Sequence, residues 1–319
     1  MLATYVDDLI IASNDDGVLF EIFNRLTHQY NMRITENPRS FIGLELEWSP
    51  DHKYLSISQT AYINRMSKIF NFDTGKLEST PMEHNLNIPV SPVLNDNAEF
   101  RALIGIFQYI TRYSRAGISF AVNLLARHQG HVTSETLAYA CRIGRYFYAT
   151  KNIRLVYSST SNVPLESYID ASHANAPNLR STTGSLILHF GNLVHWTTKL
   201  QSLVTRSSTA AKIVAVTDSL DDVLTSRFFL SEIVSISTTV LVYEDNISAY
   251  RSLECGNSKK MRFILICASQ VREAVENGNI KLISVTGRNQ LADGLTKSLG
   301  PLLFCTFRNL FYTRLNAEE

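Results

Sequence analysis

The chain has 319 residues, 45% of them hydrophobic and 18% charged, a globular composition for about two domains that excludes disorder. Lys plus Arg number 30 and Asp plus Glu 29; the net charge of +1 excludes a strongly basic nucleic-acid tail but not a local basic groove. No run of 18 apolar residues predicts a membrane span, and Asp7 and Asp8 interrupt the first apolar stretch where a signal peptide would stay apolar.

Residues 2–6 and 9–11 are strand-like, and Asp7 and Asp8 between them predict a tight hairpin with both acids at its tip. A lone hairpin is unstable and needs neighbouring strands. Residues 16–30 carry Leu19, Ile22, Phe23, Leu26 and Tyr30 at helical spacing. The alternation over 40–49 predicts one strand, closed by a turn at Pro50 and Asp51, and 53–58 predicts its return. A helix is expected over 59–70, with Tyr62, Ile63, Met66 and Ile69 facing inward. Pro81, Pro89 and Pro92 among Asn and Ser mark 71–98 as a linker, and helices follow at 98–111, 118–128 and 134–148.

A second domain is expected from Val163. Its strands are predicted at 165–170, 183–188, 193–197, 239–243 and 280–285. Its helices are predicted at 207–230, 246–253, 261–276, 291–298 and 302–315, with Phe304, Phe307, Phe311 and Tyr312 forming a packing face. This order belongs to the α/β class with a mixed sheet.

Cys141, Cys255, Cys267 and Cys305 form no CxxC pair, and the histidines form no HExxH. The thiols read as buried and reduced, as inside a cell. Asp7 and Asp8 suit Mg²⁺ if a rigid hairpin aims them; otherwise they form a solvent-facing turn. Asp170 and Asp245 end predicted strands, and Asp293 opens a predicted helix. The three converge on one site if the strands are neighbours; otherwise they are strand-end and N-cap aspartates.

The run Ala3-Thr4-Tyr5-Val6-Asp7-Asp8-Leu9-Ile10-Ile11 resembles the YVDD motif of copia-type retrotransposon reverse transcriptases. Residues 41–46 and 55–63 resemble that family's FLGIE and LSQxxYI stretch, and 120–127 its FAVNxLSR helix. Further on, Asp170-Ala171-Ser172-His173 resembles the DADW motif of the family's ribonuclease H domain. Residues 180–184 resemble its RKSTSG, 196–201 its WxSKKQ, and Asp245-Asn246 and 292–297 two further blocks. The resemblance implies a partial polymerase palm over 1–70, a thumb-like or connection-like helical region over 71–160, a ribonuclease-H-like domain over 161–300 and a C-terminal helix or tail over 301–319.

The resemblance also implies roles. Asp7 and Asp8 would be polymerase metal ligands, and Asp170, Asp245 and Asp293 the ligands of a ribonuclease H centre, with Mg²⁺ as the cofactor of intact members. Arg180, Lys199, Lys259 and Lys260 would face an RNA–DNA hybrid or a template-primer; Arg180 also suits a hairpin turn, and Lys259, Lys260 and Arg262 a solvated helix start. The family's third polymerase aspartate lies upstream of the hairpin, and Ala116-Gly117 stand where the family carries Pro and Asp. A truncated, inactive polymerase remnant is therefore expected.

The departure at the second centre is sharper. The family's SSTEAEY appears as Ser207-Ser208-Thr209-Ala210-Ala211-Lys212-Ile213, so both glutamates are absent and Lys212 stands at the helix-borne catalytic acid. Two-metal cleavage places carboxylates around two ions about 4 Å apart. A protonated lysine cannot coordinate and repels the ions. Lys212 is expected to pair with Asp170 and Asp245 and replace the metal's charge. His173, at the usual Trp position, reads as a tolerated substitution. The alternatives are a nucleic-acid or protein binding module, a fragment active with a complementing chain or other Pol subunits, and a chain that does not fold stably.

Overall fold

The computed structural model describes residues 1–86, 88–89, 91–158, 161–234, 238–255 and 264–314. Lys259, Lys260 and Arg262 lie outside the described residues, as does the start of the helix expected from 261.

The chain opens with β1 (Leu2–Tyr5) and β2 (Asp8–Ile11), an antiparallel pair that no other described strand joins. Tyr5 pairs with Asp8, so the tip is Val6 and Asp7, with Val6 at φ 52°, and not the two acids together. Helix α1 (Asp16–Gln29) follows; the Asp15 side chain accepts from the Gly17 and Val18 amides and caps its start.

The single strand expected over 40–49 is instead a hairpin of β3 (Ser40–Phe41) and β4 (Leu44–Trp48). Ile42 and Gly43 turn it, at φ 43° and 80°. A Cβ on Gly43 would sit 2.5 Å from the Tyr109 hydroxyl, which donates to Ile42 O at 3.2 Å. Glycine is therefore required by both backbone and contact. Glu45 on β4 accepts from Ser58 Oγ of β5 (Tyr54–Ser58) at 2.8 Å and from Ala61 N of α2 (Thr60–Ile69) at 2.6 Å. It thus satisfies a free amide at the start of α2. Buried Gln59 accepts from Ser114 Oγ at 2.6 Å. The conspicuous polar residues of this stretch act as local clamps.

Helices α3 (Ala98–Tyr113), α4 (Ser119–Ala126) and α5 (Ser134–Ala149) form a layer whose core includes Phe100, Phe107, Phe120 and Phe147. Arg115 is buried and donates to Thr150 O at 2.7 Å and Lys151 O at 3.2 Å, closing the C-terminal end of α5. Strand β6 (Ile153–Ser158), absent from the expected elements, pairs antiparallel with β5.

The mixed sheet comprises β7 (Leu165–Ser172), β8 (Thr182–His189), β9 (Asn192–Leu200), β10 (Val240–Glu244) and β11 (Ile280–Ser284). Helix α6 (Ser208–Val234) crosses from β9 to β10, and α7 (Ile247–Cys255) and α8 (Leu265–Glu276) lie between β10 and β11. The spatial order is β11-β10-β7-β8-β9, with the β7-β8-β9 meander antiparallel and β10 and β11 parallel to β7. Parallel strands need such helical crossovers. Ala210, Ala211, Val214 and Ala215 of α6 pack in one core with Ile169 and Val242 of the sheet. This is a mixed α/β domain whose strand order resembles that of the ribonuclease-H-like fold, preceded by a helical region.

The helix expected over 291–298 is a single 3₁₀ turn at Asp293–Leu295. A Cβ on Gly294 would meet the Phe307 ring at 2.5 Å, so this turn packs tightly against the following helix, α9 (Pro301–Asn309). The helix expected over 302–315 ends at Asn309 because β12 (Tyr312–Arg314) pairs antiparallel with β6. The second five-stranded sheet has the order β12-β6-β5-β4-β3. Cys141, Cys267 and Cys305 are free and half-buried, where full burial was expected; the Cys255 side chain lies outside the described part. Among the described residues, no helix is long and apolar enough to cross a membrane.

Candidate active site

Parallel pairing places two acids at one end of the sheet. Tyr168 of β7 pairs with Tyr243 of β10, and their rings stack at 4.3 Å. Asp170 and Asp245 each follow two residues later, so they emerge side by side. Helix α6 begins at Ser208 and brings Lys212 over this edge within its first turns. The 3₁₀ turn after β11 brings Asp293 and Thr296 from the far side. Buried Gln290 donates to Ile169 O at 3.0 Å and ties that turn to β7.

Lys212 sits in the centre, 7% exposed. Its Nζ donates to Asp170 Oδ1 at 2.6 Å and Asp245 Oδ1 at 2.5 Å, and lies 3.4 Å from Glu244 Oε1. The other Asp170 oxygen accepts from the Thr296 hydroxyl. Glu244 is fully buried and accepts from Asn246 N at 2.8 Å. Asp293 pairs with Lys297 at 2.9 Å.

The electrostatics follow from this arrangement. Burial pushes the Asp170 carboxyl up, but the Lys212 charge and the hydrogen bonds from Lys212 and Thr296 outweigh it and hold the group below the usual carboxylate range. Burial alone would lower the Lys212 ammonium; Asp170 and Glu244 reverse this and raise it. Glu244 is pushed up to about 7 by burial, only partly offset by Lys212. Burial and the Asp170 charge raise Asp293.

Asp170, Asp245 and Asp293 each offer one oxygen within 4.8 Å of the others, a spacing that could in principle hold a divalent ion. The full residue set does not fit one. A cation already lies at hydrogen-bond distance from two of the three acids, and it is covalently part of α6.

The remaining expected site residues lie apart from this centre. Asp7 and Asp8 are exposed on the separate β1–β2 hairpin. Lys199 donates to Asp218 O of α6 at 2.8 Å, and the Arg180 amide donates to Asn178 Oδ1 at 3.2 Å within the β7–β8 connection. His173 is exposed, with Nε2 3.1 Å from Thr205 O. Glu244 and Thr296 were not anticipated. The signal for each was its place beside a singled-out acid or inside a singled-out block.

No family model matches this chain. A Retrovirus-related Pol polyprotein from transposon RE1 of Arabidopsis thaliana is 29% identical over 313 residues, 96% of this chain and 21% of that protein. The corresponding polyprotein from transposon TNT 1-94 of Nicotiana tabacum is 26% identical over 307 residues, 93% of this chain and 23% of its own length. The chain is homologous to retrotransposon Pol polyproteins. It spans about a fifth of the length of these polyprotein relatives. A shorter relative, the putative transposon Ty5-1 protein of Saccharomyces cerevisiae, is 28% identical over 226 residues, 70% of this chain and 73% of its own length. Among solved structures, LC11-RNase H1 isolated from compost aligns with TM-score 0.34 and 18% identity over 41% of this chain and 91% of that one.

Glu244 makes one consequence measurable. Its folded pKa of about 7 lies above the ordinary value of 4.5, so the folded state holds the proton more tightly. The favourable contribution is complete below about 4.5 and is lost as pH rises through about 7. Glu244→Gln is therefore expected to stabilise the protein by about 3 kcal/mol at pH 8.5 and to have a much smaller effect at pH 5. Urea denaturation at the two pH values checks this; equal effects at both would contradict the assignment.

Proposed function

We propose that this chain is a copia-type Pol sequence whose ribonuclease-H-like domain is held closed by an internal cation and does not cleave RNA–DNA hybrid. One observation carries the reading: the Lys212 ammonium lies 2.6 and 2.5 Å from Asp170 and Asp245, two of the acids a metal would need. Two-ion cleavage depends on ions that activate a water and stabilise the leaving oxygen. Lys212 supplies charge balance but no open coordination position. Mg²⁺ is accordingly not a resident of this centre, and the fold stands on the lysine instead.

The test is incubation of the purified chain with a labelled RNA–DNA hybrid in Mg²⁺ and then in Mn²⁺, beside Asp170→Asn. No cleavage by folded protein is expected. Cleavage that Asp170→Asn abolishes would overturn the proposal and show that the remaining acids suffice.

A further inference from the structure

Helix α4 carries two polar residues that neither the helical core nor the acidic centre uses directly. Arg127, at its C-terminal end, directs Nε and Nη2 onto Asn123 Oδ1 at 3.1 and 2.8 Å. This double contact fixes the amide so that Asn123 Nδ2 donates to Thr198 O of β9 at 3.0 Å. Thr198 Oγ1 in turn donates to Leu295 O at 2.9 Å.

A second route starts from the same guanidinium. Arg127 Nη2 donates to Thr182 Oγ1 at 3.0 Å, and Thr182 Oγ1 donates to Asn175 Oδ1 at 2.7 Å. Asn175 Nδ2 donates to Thr296 O at 3.0 Å. Thr296 Oγ1 then donates to Asp170. Both routes end on the 293–297 turn, and Thr182 and Thr296 are fully buried.

From this we infer that Arg127 and Asn123 are positioning residues: α4 holds the turn carrying Asp293 and Thr296, and through Thr296 sets the Asp170 carboxylate. Three features favour this over incidental packing. Along the second route the Thr182 hydroxyl and the Asn175 amide each accept on one side and donate on the other, so Arg127 polarises the bonds as far as Thr296 O, and the hydroxyl of that same residue holds Asp170. The 3₁₀ turn spans only Asp293–Leu295, so its placement against the sheet depends on contacts from outside it. A Cβ on Gly184 would meet Leu295 Cβ and Thr296 Cγ2 at 2.7 Å, so β8 presses on the same turn. The inference holds whether the centre carries a lysine or an ion, and it does not rest on the proposed lack of cleavage.

The experiment uses the full chain and compares Arg127→Leu, Thr182→Val and Arg127→Lys. Two readouts report on the centre: amide exchange at Leu295 and Thr296, and the ¹⁵N resonance of the Lys212 ammonium. Exchange at both amides is expected to rise at least about tenfold in Arg127→Leu and Thr182→Val, with a shifted Lys212 signal. Exchange at Val242 in the sheet core stays unchanged, and Arg127→Lys, which keeps a donor, recovers part of the protection. Thr182→Val is nearly isosteric and keeps the test decisive if Arg127→Leu does not fold. Unchanged exchange and an unchanged Lys212 resonance in folded Thr182→Val would overturn the inference.

Discussion

Lys212→Met is expected to cost about 3–5 kcal/mol of stability at pH 8, because it leaves Asp170 and Asp245 close together without their shared cation. The penalty has a pH signature. In the native protein Asp170 is held below the usual carboxylate range, so its contribution is present above the unfolded value near 3.8 and lost as pH falls through the folded value. Without the lysine, burial, the largest influence on the group, outweighs the remaining Thr296 hydrogen bond and raises Asp170. Folding then takes up a proton, and the variant loses stability as pH rises. The difference between native and variant should therefore be largest near pH 8 and shrink toward pH 4. Chemical denaturation across that range measures it; equal stabilities at pH 8 would show that the buried cluster needs no cation.

Lys212→Glu should behave in the opposite sense toward metal. The substitution places a carboxylate among Asp170, Asp245 and Asp293, whose oxygens already lie within 4.8 Å of one another. Without a divalent ion the variant is expected to be less stable than the native chain, since like charges then crowd one site. With 10 mM Mg²⁺ and an affinity on the order of 0.1 mM, linkage predicts a gain of about 2.7 kcal/mol. The native chain should not respond at matched ionic strength. Thermal melts with Mg²⁺ titrated against a sodium control decide the matter. No Mg²⁺-dependent rise in the variant would mean that Lys212 does not stand at a metal position.

The two five-stranded sheets differ in how far they could be read in advance. The mixed sheet was legible because β7, β8, β9, β10 and β11 are apolar runs separated by helix-length crossovers or short turns. The second sheet was not. Tyr312 of β12 pairs with Leu155 of β6, and Leu155 with Ile57 of β5. Those partners lie far apart in the chain, and a three-residue strand carries no periodicity to reveal it. The break at Ile42–Gly43 was hidden because alternation continues across a two-residue turn.

The candidate centre divides along the same line. The order and spacing of Asp170, Asp245 and Asp293, and the misfit of Lys212 in the block 207–213, are properties of the amino-acid sequence, and so was the sign of the charge placed among the acids. Only the tertiary structure brought Glu244 into the cluster with its carboxyl buried, turned Thr296 onto Asp170, and set α4 behind the 293–297 turn. Residue types along a chain determine which charges exist. Their energies depend on separation and on how much water has been excluded, and those are fixed only when strands, helix and turn close around the same few ångströms.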